Sequence, residues 1–338
     1  MKGEVKMKRL VALGVASAMA ISLTACGARN PSGSNSTGEN TTQVYLFISN
    51  RDEWNTLMEQ GALECGIDGV EVFSQNAESD ANKQLQQVET AINAGADALV
   101  VQLADAETLP EIKELADGIP LVFVNRVPTN EELYDENTIY IGCDEATAGY
   151  AQAEYLTTYF KEKGTNEFSY LLLSGMLGTV SATRRTDAVL ERLEENGMVA
   201  TEATAPLVCD WDRATAMDNV SPLLGVTDFD CIIANNDAMA LGAVEALEQA
   251  GIEPGDIPIV GIDATGDACS AIADGKMACS AYQAGEEQGR AAIQAAYNMI
   301  QGREPSEGIN YKPGEANPYI LSKEFEMVTA ENVDQFIG

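Results

Sequence analysis

Twelve polar, charged or aromatic side chains of this sequence stand at or just after predicted strands, and they have the chemistry to bind a polar solute. Planar amide, carboxylate and guanidinium groups present paired donors and acceptors, and hydroxyl groups, which both donate and accept, are their natural partners. The two tryptophans add flat apolar faces that suit the C–H faces of a sugar ring. The twelve candidates are Asp52, Trp54, Gln102, Asn125, Arg126, Thr179, Ser181, Arg185, Trp211, Asn236, Asp263 and Gln283.

Several of these residues also have a purely structural interpretation. The pair Asn236-Asp237 before a predicted helix is typical of an N-cap, and for Asp237 we favour the cap. Asp263 also suits a cap or a turn, and Arg185, which follows Arg184, suits an exposed helix charge. The set as a whole favours a binding site, because all of its members fall at one end of the predicted strands.

Buried strands alternate with helices along the chain. The strands are continuous apolar runs, which is typical of strands covered on both faces in a parallel sheet. We predict strands at 44–48, 70–73, 98–103, 120–124, 139–141, 170–173, 231–234 and 257–262. We predict helices at about 54–63, 79–95, 111–116, 146–161 and 237–250, and one that runs through Val189 and ends at Gly197. Ser79 would be the N-cap of the second helix. The predicted fold class is α/β, with two Rossmann-like lobes and parallel sheets. Such folds bind ligands beyond the carboxyl ends of their strands.

The composition excludes several classes of function. The chain has 338 residues, enough for two lobes of ordinary domain size, and its 20 basic and 53 acidic residues give a formal charge of −33. We expect no nucleic-acid partner, because phosphate recognition needs clustered Lys and Arg. Histidine is absent from the sequence, which excludes Ser-His-Asp catalysis, Cys-His catalysis and His-ligated zinc.

The N-terminus has the pattern of an export signal with a lipid attachment site. Four basic residues among the first nine precede an apolar run at 10–23, which is too short to span a membrane comfortably. The sequence LTACG at 23–27 resembles the bacterial lipobox. We therefore expect residues 1–25 to be a signal peptide, Cys26 to carry a lipid, and residues up to 42 to be a flexible tether rich in Gly, Ser, Asn and Thr.

The other cysteines give no sign of a metal site. They fit no zinc motif, and no C-x-x-C occurs. We expect most of them to act as small buried apolar residues. A disulfide is allowed outside the cell, but the spacing assigns none. These cysteines are Cys65, Cys143, Cys209, Cys231, Cys269 and Cys279.

One stretch of the chain resembles a known family. The sequence IIANNDAMALGAVEAL at 232–247 resembles the corresponding segment of bacterial galactose/glucose-binding proteins, and DWD at 210–212 and VGIDA at 260–264 fit in the expected order. The resemblance extends over about residues 43–336. It implies a periplasmic sugar-binding protein of the ribose/galactose type, the solute receptor of an ABC importer. The implied fold has two Rossmann-like lobes, joined by three crossovers, that close on the sugar.

The resemblance also implies roles for the candidate residues. Asp52 would accept from a hydroxyl, Trp54 would stack on one sugar face, and Gln102 stands where the galactose/glucose type has Asn. In the second lobe, Arg185 would be a bidentate donor and Trp211 the opposing stacking face. The remaining matches are Asn236 and Asp263 as hydroxyl partners, Gln283 at one lobe crossover, and the pair Asn125 and Arg126 at another.

Two departures from the galactose/glucose type affect the predicted ligand. Thr179 and Ser181 stand where that type has His and Asp. The resemblance makes a galactose- or glucose-like hexose the first choice, and this departure leaves a pentose, inositol or another polyol as alternatives. The segment KGTNE at 163–167 is too short to supply the oxygen ligands of calcium, so we predict no metal and no cofactor.

The resemblance further implies lobe boundaries and partners. Residues 43–126 and 284–316 would form the first lobe, and residues 127–283 and 317–338 the second. The partners would be a monosaccharide, the membrane subunits of an ABC importer, and the membrane through the lipid on Cys26. The protein would be a monomer, anchored on the outer face of the cell membrane or periplasmic.

Three other functions remain as alternatives. A chemotaxis or sensor-kinase input would use the same receptor, and the sequence does not separate it from transport. A regulator of the lactose-repressor type needs an N-terminal helix-turn-helix, where this chain has a signal and a tether. A carbohydrate-cleaving enzyme needs a carboxylate pair, for which we would nominate only Asp52 and Asp263. We therefore expect no enzyme activity.

Overall fold

The computed structural model describes residues 41–126 and 130–337 of the chain. These residues belong to one compact unit, Asn40–Gly338. The expected signal peptide, Cys26 and residues 27–40 of the expected tether lie outside the described residues. A search of the described residues finds no helix with the length and apolar character needed to cross a membrane.

Strands and helices alternate as the sequence predicts, and each predicted strand and helix is present. The strands are β1 (Thr42–Ile48), β2 (Val70–Asn76), β3 (Ala98–Val101), β4 (Leu121–Val124), β5 (Thr138–Cys143), β6 (Glu167–Ser174), β7 (Val199–Glu202), β8 (Leu207–Val208), β9 (Cys231–Ala234), β10 (Ile259–Asp263), β11 (Cys279–Tyr282), β12 (Lys312–Pro313), β13 (Ile320–Lys323) and β14 (Glu326–Thr329). The helices are α1 (Glu53–Leu63), α2 (Ala81–Asn93), α3 (Leu109–Ala116), α4 (Glu145–Glu162), α5 (Val180–Glu195), α6 (Arg213–Val220), α7 (Asp237–Gln249), α8 (Gly266–Ala273) and α9 (Gly285–Ile300).

The strands form two sheets of similar topology. The first sheet has the order β12-β13-β5-β4-β3-β1-β2, and the second has the order β14-β11-β10-β9-β6-β7, with β8 also paired to β6. Only β12 in the first sheet and β14 in the second run antiparallel to their neighbours among the described strands. The first sheet contains the order β2-β1-β3-β4-β5, and the second contains β7-β6-β9-β10-β11. When the strands in each of these runs are numbered along the chain, both have the doubly wound order 2-1-3-4-5. The predicted α/β fold with two Rossmann-like lobes is confirmed.

Each sheet is covered on both faces, which explains why its central strands are apolar throughout. In the first sheet, Val44, Leu46 and Ile48 of β1 belong to one core cluster, whereas Phe47 of the same strand belongs to another. Successive side chains of a strand point to opposite faces, so these two clusters lie on opposite faces of the sheet. The second sheet is covered in the same way, with Leu171 and Leu172 of β6 in different clusters.

The predicted lobe boundaries at 126/127 and 316/317 are wrong. β5 pairs with β4, and β13 pairs with β5, so residues 138–143 and 320–323 belong to the first sheet. The chain therefore passes to the second sheet after β5 and again after β13, and it returns after β11, since α9 packs on α1. Asn125 and Arg126 lie inside the first lobe rather than at a crossover. An apolar run predicts a strand but does not say which sheet that strand joins.

Two local details also differ from or extend the sequence analysis. The N-cap of α2 is Asp80, whose side chain accepts from the Lys83 amide, and not Ser79. The six described cysteines are all free, and five of them are buried, whereas Cys65 is partly exposed. This agrees with their predicted role as small apolar residues.

Candidate ligand-binding site

A cavity of about 680 Å³ is lined by residues that follow strands of both sheets. The residues from the first sheet follow β1, β2, β3 and β4, and those from the second follow β6, β8, β9, β10 and β11. This is the position at which parallel α/β folds bind ligands, beyond the carboxyl ends of the strands. All twelve residues predicted from the sequence line this cavity, so the structure brings the whole set together.

Asp263 is a buried carboxylate of the cavity that receives no hydrogen bond from the described protein. Its side chain is buried, with 5% of the residue exposed, and forms no hydrogen bond within the described residues. The nearest cation is Arg185, whose Nη1 lies 3.8 Å from Oδ1. Burial raises the pKa of Asp263 well above its ordinary value, and the Asp237 charge adds to this effect. The residue also has a φ of +120°, and such strain in a non-glycine residue clusters at functional sites.

Arg185 is the centre of a buried hydrogen-bond network on the second lobe. Its Nε donates to Oε2 of Glu145 at 2.6 Å, and its Nη1 donates to the Asn235 carbonyl at 2.8 Å. Its Nη2 donates to Oε1 of Gln283 at 3.2 Å. Arg185 is only 4% exposed, so the alternative interpretation as a surface helix charge is wrong. The guanidinium is oriented by the protein before any ligand is present.

Glu145 was missed by the sequence analysis. It is the first residue of α4 and is 3% exposed. Its Oε1 accepts from Ser181 Oγ at 3.1 Å, and its Oε2 accepts from Arg185. An acidic residue in the first turn of a helix is expected for the helix dipole alone, so its position along the chain does not distinguish it.

Gln283 connects the two lobes and retains an unused donor. Its carbonyl accepts from Nε1 of Trp54 at 3.1 Å, which joins it to α1 of the first lobe. Its Oε1 accepts from Arg185 of the second lobe. Its buried Nε2 lies near the thiol of Cys143 but has no hydrogen-bond partner within the described residues. Because the protein encloses this nitrogen, the unused donor does not face the cavity.

Asp52 and Arg126 provide the charged groups of the first lobe. Asp52 caps α1, with Oδ1 accepting from the Asn55 amide nitrogen at 2.7 Å and Oδ2 from the Asn55 side chain at 2.9 Å. Burial raises its pKa. Nη1 of Arg126 donates to the carbonyls of Leu103 and Ala104 at 3.0 and 3.1 Å, which leaves its other N–H donors for a ligand.

Gln102 lines the cavity, but its side-chain amide is hydrogen-bonded within the first lobe. Its Oε1 accepts from the backbone and side chain of Ser49 at 3.0 and 2.9 Å. Its Nε2 donates to Oδ1 of Asn55 at 2.6 Å and to Oδ1 of Asn125 at 2.8 Å. All four hydrogen-bonding positions of its amide are therefore occupied. The contact with Asn125 directs the Nδ2 donor of that residue away from Gln102.

The two tryptophans differ in how much of the ring faces the cavity. Trp54 is 7% exposed and packs in the core of the first lobe. Trp211 is half-buried, and its ring lies directly on Gly175, where a Cβ atom would come within 2.2 Å of Cζ2. The Arg185 guanidinium carbon is 5.8 Å from the centroid of the Trp211 ring. Trp211 is therefore better placed than Trp54 to stack on a ligand.

Three predicted residues use their side chains in hydrogen bonds within the protein. Oγ1 of Thr179 caps α5 by accepting from the Ala182 amide at 3.4 Å, and it donates to a carbonyl of its own loop. Ser181 donates to Glu145. Asn236 caps α7, with Oδ1 accepting from the Met239 amide at 3.0 Å. These bonds leave fewer free atoms for a ligand than the residue types suggested.

Asp237 is not the helix cap that the sequence favoured, since Asn236 has that position. Its buried carboxylate instead accepts from the Thr265 amide at 2.8 Å and from Ser280 Oγ at 2.6 Å. Burial raises its pKa, and the hydrogen bond from Ser280 opposes this. Asp237 therefore joins α7 to β10 and β11 beneath the cavity.

Glu53 lines the cavity and was also missed, although it stands between two predicted residues. Burial raises its pKa, and the charge of Asp267 raises it further, whereas Arg213 and Thr265 lower it. These three neighbours belong to the second lobe, so Glu53 marks a place where the lobes approach each other.

The cavity combines buried acceptors and donors that lack partners in the protein. Asp263 supplies acceptors, and Arg126 supplies donors. A hydroxyl-rich solute satisfies such a mixture, because each hydroxyl can donate to a carboxylate and accept from an amide or guanidinium. Among the described residues, no group of three or more His, Cys, Asp or Glu side chains is placed to hold a metal ion.

Comparison with known proteins gives consistent matches. Residues 44–304 match the model of the periplasmic binding protein domain family. A candidate rhizopine-binding protein of Rhizobium meliloti is 32% identical over 292 residues, which cover 85% of this chain and 89% of that protein. A D-galactose/methyl-galactoside binding periplasmic protein of Haemophilus influenzae is 29% identical, over 80% of this chain and 83% of that protein.

A solved structure has the same fold. The ABC transporter solute binding protein of Bacillus halodurans, with bound myo-inositol, superposes with a TM-score of 0.75. It is 26% identical and covers 89% of this chain and 99% of its own. The two-lobed architecture described above is therefore shared with a known solute-binding protein.

Proposed function

The chain belongs to the periplasmic binding protein domain family, and from that premise we propose that it is an extracytoplasmic receptor that captures a sugar or related polyol between its lobes. The observation that carries this proposal is the Asp263 carboxylate, which lines the cavity, is buried and has no hydrogen bond within the described residues. Leaving a buried polar group without a partner costs about 1–3 kcal/mol. A bound hydroxyl would remove that cost at Asp263.

A galactose- or glucose-like hexose remains our first choice, with a pentose, inositol or another polyol as alternatives. The named ligands of the relatives, galactose and myo-inositol, support this class without choosing among its members. Thr179 and Ser181, which replace the His and Asp of the galactose/glucose type, use their hydroxyls inside the protein. The hexose hydroxyls that this His and Asp would read therefore have fewer protein partners here.

The mechanism that we propose is closure by population shift. A solute that contacts both lobes favours the closed form by its differential contacts. Gln283 is placed to report such closure, because its carbonyl bonds to Trp54 of the first lobe and its side chain bonds to Arg185 of the second. The membrane subunits of an ABC importer would recognise the closed lobes. A chemotaxis or sensor-kinase input is the second candidate for this readout.

We further propose that the mature protein is a monomer attached to the outer face of the membrane by a lipid on Cys26. The support is the lipobox-like sequence and the Gly- and Ser-rich segment that follows it. We propose binding without catalysis, since the relatives above are named as binding proteins. Burial raises the pKa of both Asp52 and Asp263. We assign both carboxyl groups the role of binding hydroxyl groups of the ligand.

The test is calorimetric titration of the purified full chain with glucose, galactose, ribose, xylose, arabinose, fructose and myo-inositol. We expect saturable binding of at least one of these solutes in a one-to-one ratio. The matched control is Asp263→Ala, which removes the unsatisfied carboxylate and should abolish the heat of binding. A folded wild-type protein that binds none of these solutes, with none carried through purification, would show that the receptor takes another class of ligand.

A further inference from the structure

Ser79 lines the cavity from the loop between β2 and α2, although the sequence indicated only a helix cap at this position. Asp80 is the N-cap of α2 instead, so the Ser79 hydroxyl is not used to begin the helix. The Ser79 side chain is exposed and forms no hydrogen bond within the described residues. A hydroxyl can both donate and accept. Ser79 therefore has the chemistry to contact a hydroxyl of a ligand.

The other hydroxyl side chains of the cavity lining all form hydrogen bonds within the protein. Oγ1 of Thr179 caps α5, and Oγ of Ser181 donates to a buried carboxylate. Oγ1 of Thr265 caps α8 by accepting from a backbone amide of that helix at 3.4 Å. Four hydroxyl residues line the cavity in the described part of the chain. Ser79 is the one among them whose side chain the protein leaves free.

Hydrogen bonds to the end of β1 hold the loop and fix the position of Ser79. The Ser79 amide donates to the Ser49 carbonyl at 2.7 Å, and the Ala77 amide donates to the Ile48 carbonyl at 2.9 Å. The side chain of Ser49 in turn bonds to Gln102, which also lines the cavity. Ser79 therefore lies on a fixed backbone, which lowers the entropy cost of ordering the loop when a ligand binds.

The backbone of this loop is also strained. Glu78 and Ser79 have φ values of +56° and +59°, a conformation that is unfavourable for residues other than glycine. Strain of this kind, where the surrounding structure maintains it, clusters at ligand-binding sites. Of these two residues, Ser79 lines the cavity and Glu78 does not. Glu78 therefore shares the strain but not the site.

We propose that Ser79 is a ligand-contacting residue of the first lobe, and that it determines which pattern of hydroxyl groups the receptor accepts. This inference rests on the proposed function, because it requires a polyol in the cavity. The Ser79 side chain would form a hydrogen bond with one hydroxyl of that polyol. Asp263 and Arg185 belong to the second lobe, so Ser79 adds a contact from the other lobe. Contacts from both lobes are what makes a ligand favour the closed form.

The test combines three variants with the monodeoxy derivatives of whichever solute the wild-type chain binds among glucose, galactose, ribose and myo-inositol. Loss of one neutral hydrogen bond raises Kd by roughly two- to twelvefold, so Ser79→Ala and Ser79→Gly should each weaken binding of the parent solute by this factor. Glu78→Gly relieves the same backbone strain outside the cavity lining and should leave Kd unchanged. Glycine adopts positive φ without steric cost, so neither glycine variant should lower the urea midpoint of unfolding.

The deoxy derivatives separate a lost hydrogen bond from a changed loop shape. One of them should bind the wild type more weakly than the parent solute does. The same derivative and the parent should bind Ser79→Ala equally well, because the partner of the missing hydroxyl is already absent from that variant.

An unchanged Kd for the parent solute in Ser79→Ala overturns the proposal. Two other results also overturn it: a Ser79→Ala variant in which every deoxy derivative keeps its full wild-type loss, and a rise in Kd in Glu78→Gly that equals the rise in Ser79→Gly. If no solute binds to the folded wild type, the proposed function itself fails and this inference fails with it.

Discussion

At the scale of single residues, the site depends on which polar groups the protein leaves unsatisfied. Gln102, Thr179 and Ser181 have the right chemistry for a ligand, but their hydrogen bonds are used within the protein. Asp263 keeps an unpartnered carboxylate at the cavity, whereas the unpartnered Nε2 of Gln283 is enclosed by the protein. The sequence predicts all five as one set, because residue type and strand position are visible in it. Their partners are distant in the chain, so it does not show which of them remain free.

Asp263→Asn should weaken ligand binding and stabilise the unliganded protein at neutral and alkaline pH. Replacing a charged acceptor of hydroxyl hydrogen bonds costs about 1.5–3 kcal/mol, or roughly 10–100-fold in Kd. Because folding raises the pKa of Asp263, the folded protein takes up a proton as the pH falls through that value. The contribution of Asp263 to stability therefore falls as pH rises above the ordinary aspartate pKa of about 3.9.

The measurement is the free energy of unfolding of both proteins between pH 5 and pH 8, together with Kd at pH 8. The free energy of unfolding of the wild type, minus that of Asp263→Asn, should increase as the pH is lowered. A difference that is constant with pH, or that changes in the opposite direction, would contradict an uncompensated buried carboxylate.

Glu145→Gln should destabilise the fold and weaken binding together, because it leaves Arg185 buried without its 2.6 Å anionic partner. Removing one member of a buried ion pair typically costs about 3–5 kcal/mol. Ser181→Ala is the matched control, since it removes a neutral donor to the same carboxylate and should cost only about 1 kcal/mol. Urea unfolding and calorimetric titration measure both effects. Equal stabilities for the two variants would show that Glu145 does not hold the guanidinium.

At the scale of helices and strands, unbroken runs of apolar residues explain which strands could be predicted from the sequence. The four residues of β3, of β4 and of β9 are all buried, and each of these strands appears in the sequence as an unbroken apolar run. The strands that we did not predict lie at or near sheet edges. β7 is mostly exposed, and the two residues of β12 are Lys312 and Pro313. β7 and β12 therefore leave no apolar pattern in the sequence. The other strands that we did not predict, β8, β11, β13 and β14, have at most four residues each, although Leu321 of β13 and Val328 of β14 are buried.

The close approach of Gly175, the residue after β6, to the Trp211 ring gives a prediction at the same scale. Gly175→Ala should displace the ring, because the new Cβ would lie 2.2 Å from Cζ2, and should weaken binding by tenfold or more while the protein remains folded. Gly266→Ala is the control, since nothing lies within 4 Å of its Cβ position. Calorimetric titration and near-ultraviolet circular dichroism test this pair. Unchanged affinity in Gly175→Ala would mean that Trp211 does not contact the ligand.

At the scale of the whole molecule, the sequence predicts two lobes but misplaces two of their boundaries. The strand order places β5 and β13 in the first sheet, so the passages between lobes follow Cys143, Tyr282 and Lys323. Arg185 bonds to Glu145, which lies just after the first of these passages, and to Gln283, which lies just after the second. The cavity is therefore hydrogen-bonded to two of the segments that connect the lobes, where we propose that the lobes move on ligand binding.

The measurement that tests the central claim most directly is intrinsic tryptophan fluorescence of the full chain during titration with sugars and inositol. Trp54 and Trp211 are the two tryptophans of the sequence, and both line the cavity. The account predicts a saturable change with at least one of these polyols, and its loss in Asp263→Asn at the same concentrations. A saturable change that persists unaltered in Asp263→Asn, or a folded protein that responds to none of them, would contradict a polyol site between the lobes.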